Sequence, residues 1–148
     1  MRNKRSKHLI TTPPQKLTSR IMKLVKSANT KPELSLRKAL WDSGLRGYRL
    51  NWKNVIGKPD IAFTKKKIAI FVHGCFWHRC PRCKRPIPKS NFEYWKDKFK
   101  KNISRDKRTF LELKKQKWIV FIVWECDIKN SLKKTVNKIN RTVKRRSF

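Results

Sequence analysis

Thirteen consecutive residues, FVHGCFWHRCPRC from Phe71 to Cys83, carry two histidines, three cysteines, two arginines and a Phe-Trp pair. Thiolates are soft metal ligands, and imidazoles either bind metal or move protons near neutral pH. Cys75, Cys80 and Cys83 follow the spacing C-x4-C-x2-C, and Cys126 lies at the end of a distant apolar run. Four sulfurs from two segments suit a closed tetrahedral zinc site, which would order a loop too poor in apolar residues to order itself. Unligated thiols are the plainer alternative, and His78, between Cys75 and Cys80, could replace one of them.

A second chemical group stands just upstream, in GKPDIAF, where Asp60 follows Pro59 and opens a short apolar run. If residues 61–63 pair with 70–72 around a turn at Lys65 to Lys67, Asp60 falls opposite His73 with the Val72 carbonyl nearby. A carboxylate and a carbonyl are hard oxygen donors suited to Mg²⁺. Such an ion would polarise a phosphate and activate water, while His73 or His78 moved a proton. The plainer alternative makes Asp60 a turn acid and the histidines loop filler.

The elements that must position these groups follow from hydrophobic period and capping signals. Residues 1–16 have no such period and read as a basic, mobile arm. One domain is expected over 17–145, with a tail at 146–148. Ile21, Leu24 and Val25 recur at helical spacing, predicting a helix around 17–28, and Met22 then reads as core. Thr30-Lys31-Pro32-Glu33 has the form of a capping box, so a second helix starts there and Glu33 has a structural role. Strands are expected at Tyr48 to Val55, Asp60 to Phe63, Lys67 to Val72 and Trp118 to Trp124, with helices over 91–114 and through Leu132, Val136, Ile139 and Val143. This order predicts a small α/β domain with a central mixed sheet flanked by helices.

Composition narrows the partner. Lys and Arg number 41 against 9 Asp and Glu, a formal net charge of +32, so the chain repels itself unless a polyanion neutralises it. With six Trp and eight Phe available to stack on bases, nucleic acid is the expected partner. Phosphate contacts are expected from the arm, from the cations of residues 96–108 and from the last helix. No apolar run is long enough to span a bilayer and the basic N-terminus lacks the apolar centre of a secretory signal, so a cytoplasmic protein without membrane contact is expected.

GKPDIAF, FVHGCFWH, EYW, KNISRD and VWEC together resemble the very short patch repair (Vsr) mismatch endonucleases, over about Ser19 to Ile128. The resemblance implies a core like that of type II restriction endonucleases and a monomer acting on double-stranded DNA, associated with the nucleoid when bound. It implies a nick 5′ to the T of a T:G mismatch left by deamination of 5-methylcytosine, with catalytic Mg²⁺ and structural Zn²⁺. By the same resemblance Asp60 and the Val72 main-chain carbonyl bind Mg²⁺, and His73 and His78 are catalytic. Glu33 matches a glutamate near the active site, which gives it a catalytic role beside the capping one. Phe76, Trp77 and Trp95 correspond to an aromatic wedge that enters the duplex, and Met22 to a residue inserted from the other side. The family often has histidine among its zinc ligands, where this chain has an all-cysteine set. A less selective nicking enzyme of the same fold, or a noncatalytic zinc module that only binds nucleic acid, are the alternatives.

Overall fold

The computed structural model describes residues 27–146. Thr30 caps helix α1 (Lys31–Asp42), with Pro32 in the first turn, where a missing N–H costs nothing. Leu36 and Leu40 bury completely. The chain leaves α1 through Gly44 at φ +85°. Strand β1 (Arg49–Leu50) pairs antiparallel with β2 (Ile61–Phe63), β2 pairs antiparallel with β3 (Ile68–His73), and β3 runs parallel to β4 (Ile119–Trp124). The long helix α2 (Phe92–Lys115) makes the crossover between the parallel pair, and α3 (Glu125–Arg145) follows β4 directly. The sheet order β1-β2-β3-β4 is therefore mixed, as expected for the small α/β domain.

Strand alternation divides the core into two sides. Ile68, Ile70 and Val72 of β3 and Ile119, Phe121 and Val123 of β4 pack with Leu36 and Leu40 of α1 and with Ile128, Val136, Ile139 and Val143 of α3. Ala69 and Phe71, with Val120, pack instead with Phe110 and Leu113 of α2. His73 continues the Ala69, Phe71 series, so it points to the α2 side at the end of its strand. Lys66, in the turn before β3, donates to the Val143 and Arg146 carbonyls at 2.8 and 2.9 Å. A cation thus closes the C-terminus of α3, where the helix dipole favours it, at the end of the sheet away from His73.

Two expectations need correction. The strand over Tyr48 to Val55 is only two residues of ladder, because Asn51 turns to φ +46° and the chain bends through Gly57 at +77° and Lys58 at +48°. The hairpin between β2 and β3 pairs Ile61 with Ile70, so Asp60 falls opposite Phe71 and not His73. The connecting turn includes Thr64 to Lys67, with Lys67 left-handed at φ +47°. Helix α3 lies across the sheet from α2, so its cations, from which phosphate contacts are expected, stand on the other side of the sheet from the histidines. The arm, Met22 and most of the helix expected over 17–28 lie outside the described residues.

Candidate active site

The shift in hairpin register is two residues, which preserves the face to which each side chain points. Asp60 therefore stays on the α2 side, and its Oδ2 accepts a hydrogen bond from the Val72 N–H at 2.7 Å. In an extended strand a residue directs its N–H and C=O to the same neighbour, so the Val72 carbonyl turns toward the side that carries Asp60. Carboxylate and carbonyl thus converge, though by a different register from the expected one. Burial pushes the Asp60 carboxyl up to about 6; the Val72 hydrogen bond opposes that rise and the nearby Glu33 charge adds to it. A partly buried carboxylate beside a second acid is a site that a cation would relieve.

Thr30 Oγ1 caps the Glu33 N–H at 3.5 Å, but the Glu33 carboxylate reaches the Asn29 N–H and not that of Thr30, so the expected capping box is only half formed. The carboxylate accepts from Thr30 Oγ1 at 2.9 Å, from the Asn29 N–H at 2.8 Å and from Arg37 at 3.2 Å. Both carboxylate oxygens are engaged in holding the start of α1, and the side chain also lines the cleft that contains Asp60.

That cleft has a volume of about 640 Å³ and brings together Glu33, Asp60, Val72, His73, Trp77 and His78. Asp106 of α2 enters it as well and was not identified from the sequence. Its Oδ2 lies 2.6 Å from His78 Nδ1 and 4.0 Å from His73 Nε2. The signal was present: Asp106 is an acid on the stripe of α2 that runs through Phe99, Ile103 and Phe110. Burial works against the Asp106 carboxylate, but the His78 hydrogen bond and the neighbouring His73 and Arg105 hold it below the usual range. An ionised Asp106 can only accept, so His78 donates through Nδ1 and keeps Nε2 for other partners. His73 is pushed down to about 4, first by burial and then by His78, against the pull of Asp106. It is a neutral imidazole at pH 7.

His73, His78 and Asp106 place ligand atoms within 4.8 Å of one another, but their geometry suits proton transfer better than one shared metal. The two imidazoles stack at 3.8 Å between centroids with planes 16° apart. An imidazole ligand holds its metal in the ring plane, and two nearly parallel planes this far apart do not share a point close to both nitrogens.

The four cysteine sulfurs form a separate group, also within 4.8 Å of one another. Cys80 and Cys126 are 3.8 Å apart, and tetrahedral zinc with bonds of about 2.3 Å sets its sulfurs about 3.8 Å apart. The donor set and spacing fit a structural metal, and His78, committed to Asp106, is not part of it. Burial opposes ionisation of Cys80, yet backbone N–H groups of Cys83 and Arg82 draw its thiol down to about 7. Around this group the loop closes on itself through Cys80 N–H to the Cys75 carbonyl, 3.0 Å. It is tied to the first turn of α3 by Arg82 to Asp127 at 2.7 Å and by the Cys75 N–H to Glu125 at 3.4 Å.

The same loop carries the aromatic group. Phe76 lies 5.2 Å from Trp77, 5.6 Å from Trp95 and 5.2 Å from Phe99, all edge to face. Trp95 and Phe99 are buried on α2, whereas Phe76 and Trp77 are half-buried and Trp77 lines the cleft. Lys98 sits 5.8 Å over the Trp77 ring, and Asn102 donates to the Trp77 carbonyl at 3.2 Å. Free protein thus holds Trp95 as the base of an aromatic stack and Phe76 and Trp77 as its accessible end.

A family model described as DNA mismatch endonuclease Vsr matches residues 10–85. The chain is 42% identical over 126 residues to the type II nicking enzyme V.NmeAIP of Neisseria meningitidis serogroup A, covering 84% of this chain and 89% of the relative. It is 40% identical over 134 residues to V.NmeDIP, a type II nicking enzyme of Neisseria meningitidis serogroup C, covering 90% and 88%. The DNA mismatch endonuclease Vsr of Escherichia coli is 33% identical over 117 residues, covering 79% and 74%.

Proposed function

Because this chain belongs to the Vsr family of DNA endonucleases, we propose that it nicks one strand of duplex DNA 5′ to the T of a T:G mismatch, by Mg²⁺-dependent phosphodiester hydrolysis. The observation that carries the reading is the convergence of Asp60, the Val72 main chain, His73, His78 and Asp106 in one cleft. Mg²⁺ held by Asp60 and the Val72 carbonyl would supply positive charge against the scissile phosphate. His78, oriented by Asp106, takes the proton of the attacking water through Nε2. Neutral His73 serves at the phosphate or the leaving oxygen. Glu33 holds α1 against the cleft and adds negative charge beside Asp60. Four cysteines hold Zn²⁺ as a structural ion that shapes the loop carrying Phe76, Trp77 and His78.

Selectivity comes from the aromatic stack. Inserting apolar side chains into a duplex costs a few kcal/mol per unstacked step, less at a mispaired step, so insertion favours the mismatch. Phe76 and Trp77 would enter first with Trp95 supporting them, and Met22 would approach from the opposite side. The enzyme works as a monomer in the cytoplasm on nucleoid DNA; among the described residues no helix is long and apolar enough to cross a membrane. The test is strand-specific nicking of labelled duplexes that differ only by T:G or T:A at one position, with and without Mg²⁺. A Mg²⁺-dependent nick beside the mispaired T is expected. Equal cutting of both duplexes would leave a less selective nicking enzyme of the same fold, and binding without cutting would remove the catalytic assignment.

A further inference from the structure

All nine acidic residues fall between Glu33 and Asp127, so neither the first 32 residues nor anything after Asp127 supplies an acidic side chain. In α3 this has a geometric consequence. Its inner face, Ile128, Val136, Ile139 and Val143, is buried against the sheet and α1. Its outer face presents Lys133, Lys134, Lys138, Arg141, Lys144 and Arg145, and among the described residues none of the six forms an ion pair. A solvated helix face ordinarily mixes signs, because like charges three or four residues apart repel. Here Lys134 and Lys138, Lys138 and Arg141, and Arg141 and Arg145 stand at those spacings without an acid among them. Four of the six, Lys134, Lys138, Arg141 and Arg145, line a shallow groove with Thr142.

The position of this face separates it from the cleft. It lies on the side of the sheet opposite α2, and Lys66 binds the carbonyls of Val143 and Arg146 at the start of β3. From Ile68 to His73 the strand advances about 16 Å, so the C-terminal half of α3 is set back from the histidines in depth as well as in side. From Lys133 to Arg145 the stripe is about 18 Å long, near half a turn of duplex.

We propose that the outer face of α3 is a second duplex-binding surface, which holds a DNA segment other than the one in the cleft and lets one protein molecule bridge two segments. It takes DNA as the polyanion because the chain is a DNA endonuclease, but it does not depend on mismatch selectivity or on the assigned catalytic roles. A phosphate backbone fits the surface by charge alone. An anionic membrane fits less well, because interfacial helices insert an apolar face and that of α3 is spent on the core.

The test immobilises a short T:G duplex, saturates it with protein in Mg²⁺-free buffer and adds a second, fluorescent matched duplex. Wild type should retain the second duplex, with one protein to two duplexes by light scattering. The variant Lys134→Gln, Lys138→Gln, Arg141→Gln, Arg145→Gln should retain at least tenfold less of it, while its hold on the first duplex and its nicking of short substrates change less than twofold. The salt dependence of second-duplex binding should lose a slope of about 3 to 4 in log K against log[salt]. These substitutions are on the surface and remove repulsion, so the variant should unfold in urea no earlier than wild type. Undiminished retention by the variant, equal loss of both duplexes, or a two-protein, two-duplex complex would overturn the proposal. So would α3-dependent binding of phosphatidylserine vesicles without second-duplex retention. All of these are binding measurements, so failure to nick a T:G substrate would not be mistaken for failure of the second surface.

Discussion

Replacing Asp60 by Asn should make the protein inactive and more stable, and the stability gain should have a defined pH dependence. The Asp60 carboxyl is raised from the ordinary 3.8 to about 6, first by burial. Between those values the folded chain keeps a proton that the unfolded chain has released, so stability falls as pH rises through the window. The favourable contribution is complete below 3.8 and lost above 6; at pH 8 the ionised carboxylate costs about 2–3 kcal/mol relative to a neutral group. Asn is nearly isosteric, and its Oδ1 can still accept from the Val72 N–H. Urea denaturation of the two proteins at pH 8, in Mg²⁺-free buffer without chelator so that the cysteine site is left alone, should favour Asp60→Asn by that amount. The gap should shrink to about 1 kcal/mol by pH 4.5. Mg²⁺ at a hundred times its Kd should stabilise only the wild type, by about 2.7 kcal/mol, and close the gap at pH 8. A variant less stable than wild type at pH 8, or a gap that does not change with pH, would refute the electrostatic account of this site.

Asp106→Asn should lower nicking about 100-fold or more with little change in DNA affinity, because His78 loses the carboxylate that fixes its proton; single-turnover rates and a binding titration separate the two. Cys126→Ser should reduce zinc content well below one ion per chain, measured by elemental analysis, and expose the loop at 74–91 to protease, since the fourth sulfur comes from a different segment from the other three. Gly57→Ala drives a Cβ into Thr109 Cγ2 at φ +77°, a combination that should destabilise by about 2–4 kcal/mol in urea. Adding Thr109→Ser removes the methyl and should recover the steric part of that loss while leaving the backbone strain.

What the sequence revealed and what it concealed follow from range. The apolar runs Ile68 to Val72 and Trp118 to Trp124 marked two strands, each too short and too uniform for a helix, whereas their parallel pairing through the α2 crossover was not legible. The cysteine spacing singled out the four thiols that the structure groups, because three share a loop and the fourth follows a neighbouring strand. Thr30 and Glu33 marked the start of α1 because capping is local. The two-residue error in hairpin register arose at Lys67, a lysine in the left-handed region where turn signals look for Gly or Asn. The loop after Leu50 likewise bends at Asn51, Gly57 and Lys58, and the contact with Thr109 that adds to the φ requirement at Gly57 comes from a helix far along the chain. Asp106 was concealed because its partner, His78, is 28 residues away and its neighbours on α2 are cations that suggest solvent.

One alternation in β3 organises these features. Its even residues pack under α1 and α3; its odd residues pack under α2 and end in His73, beside Asp106 and His78. Val72 belongs to the core by its side chain but to the site by its main chain, since its N–H already binds Asp60. A slip of one residue would turn His73 into the α1 and α3 core and leave an unpaired imidazole there in place of an apolar contact. The register that forms the core therefore also assembles the chemistry on one side of the sheet. By filling the other side with the apolar face of α3, it leaves that helix's cations pointing away from the cleft.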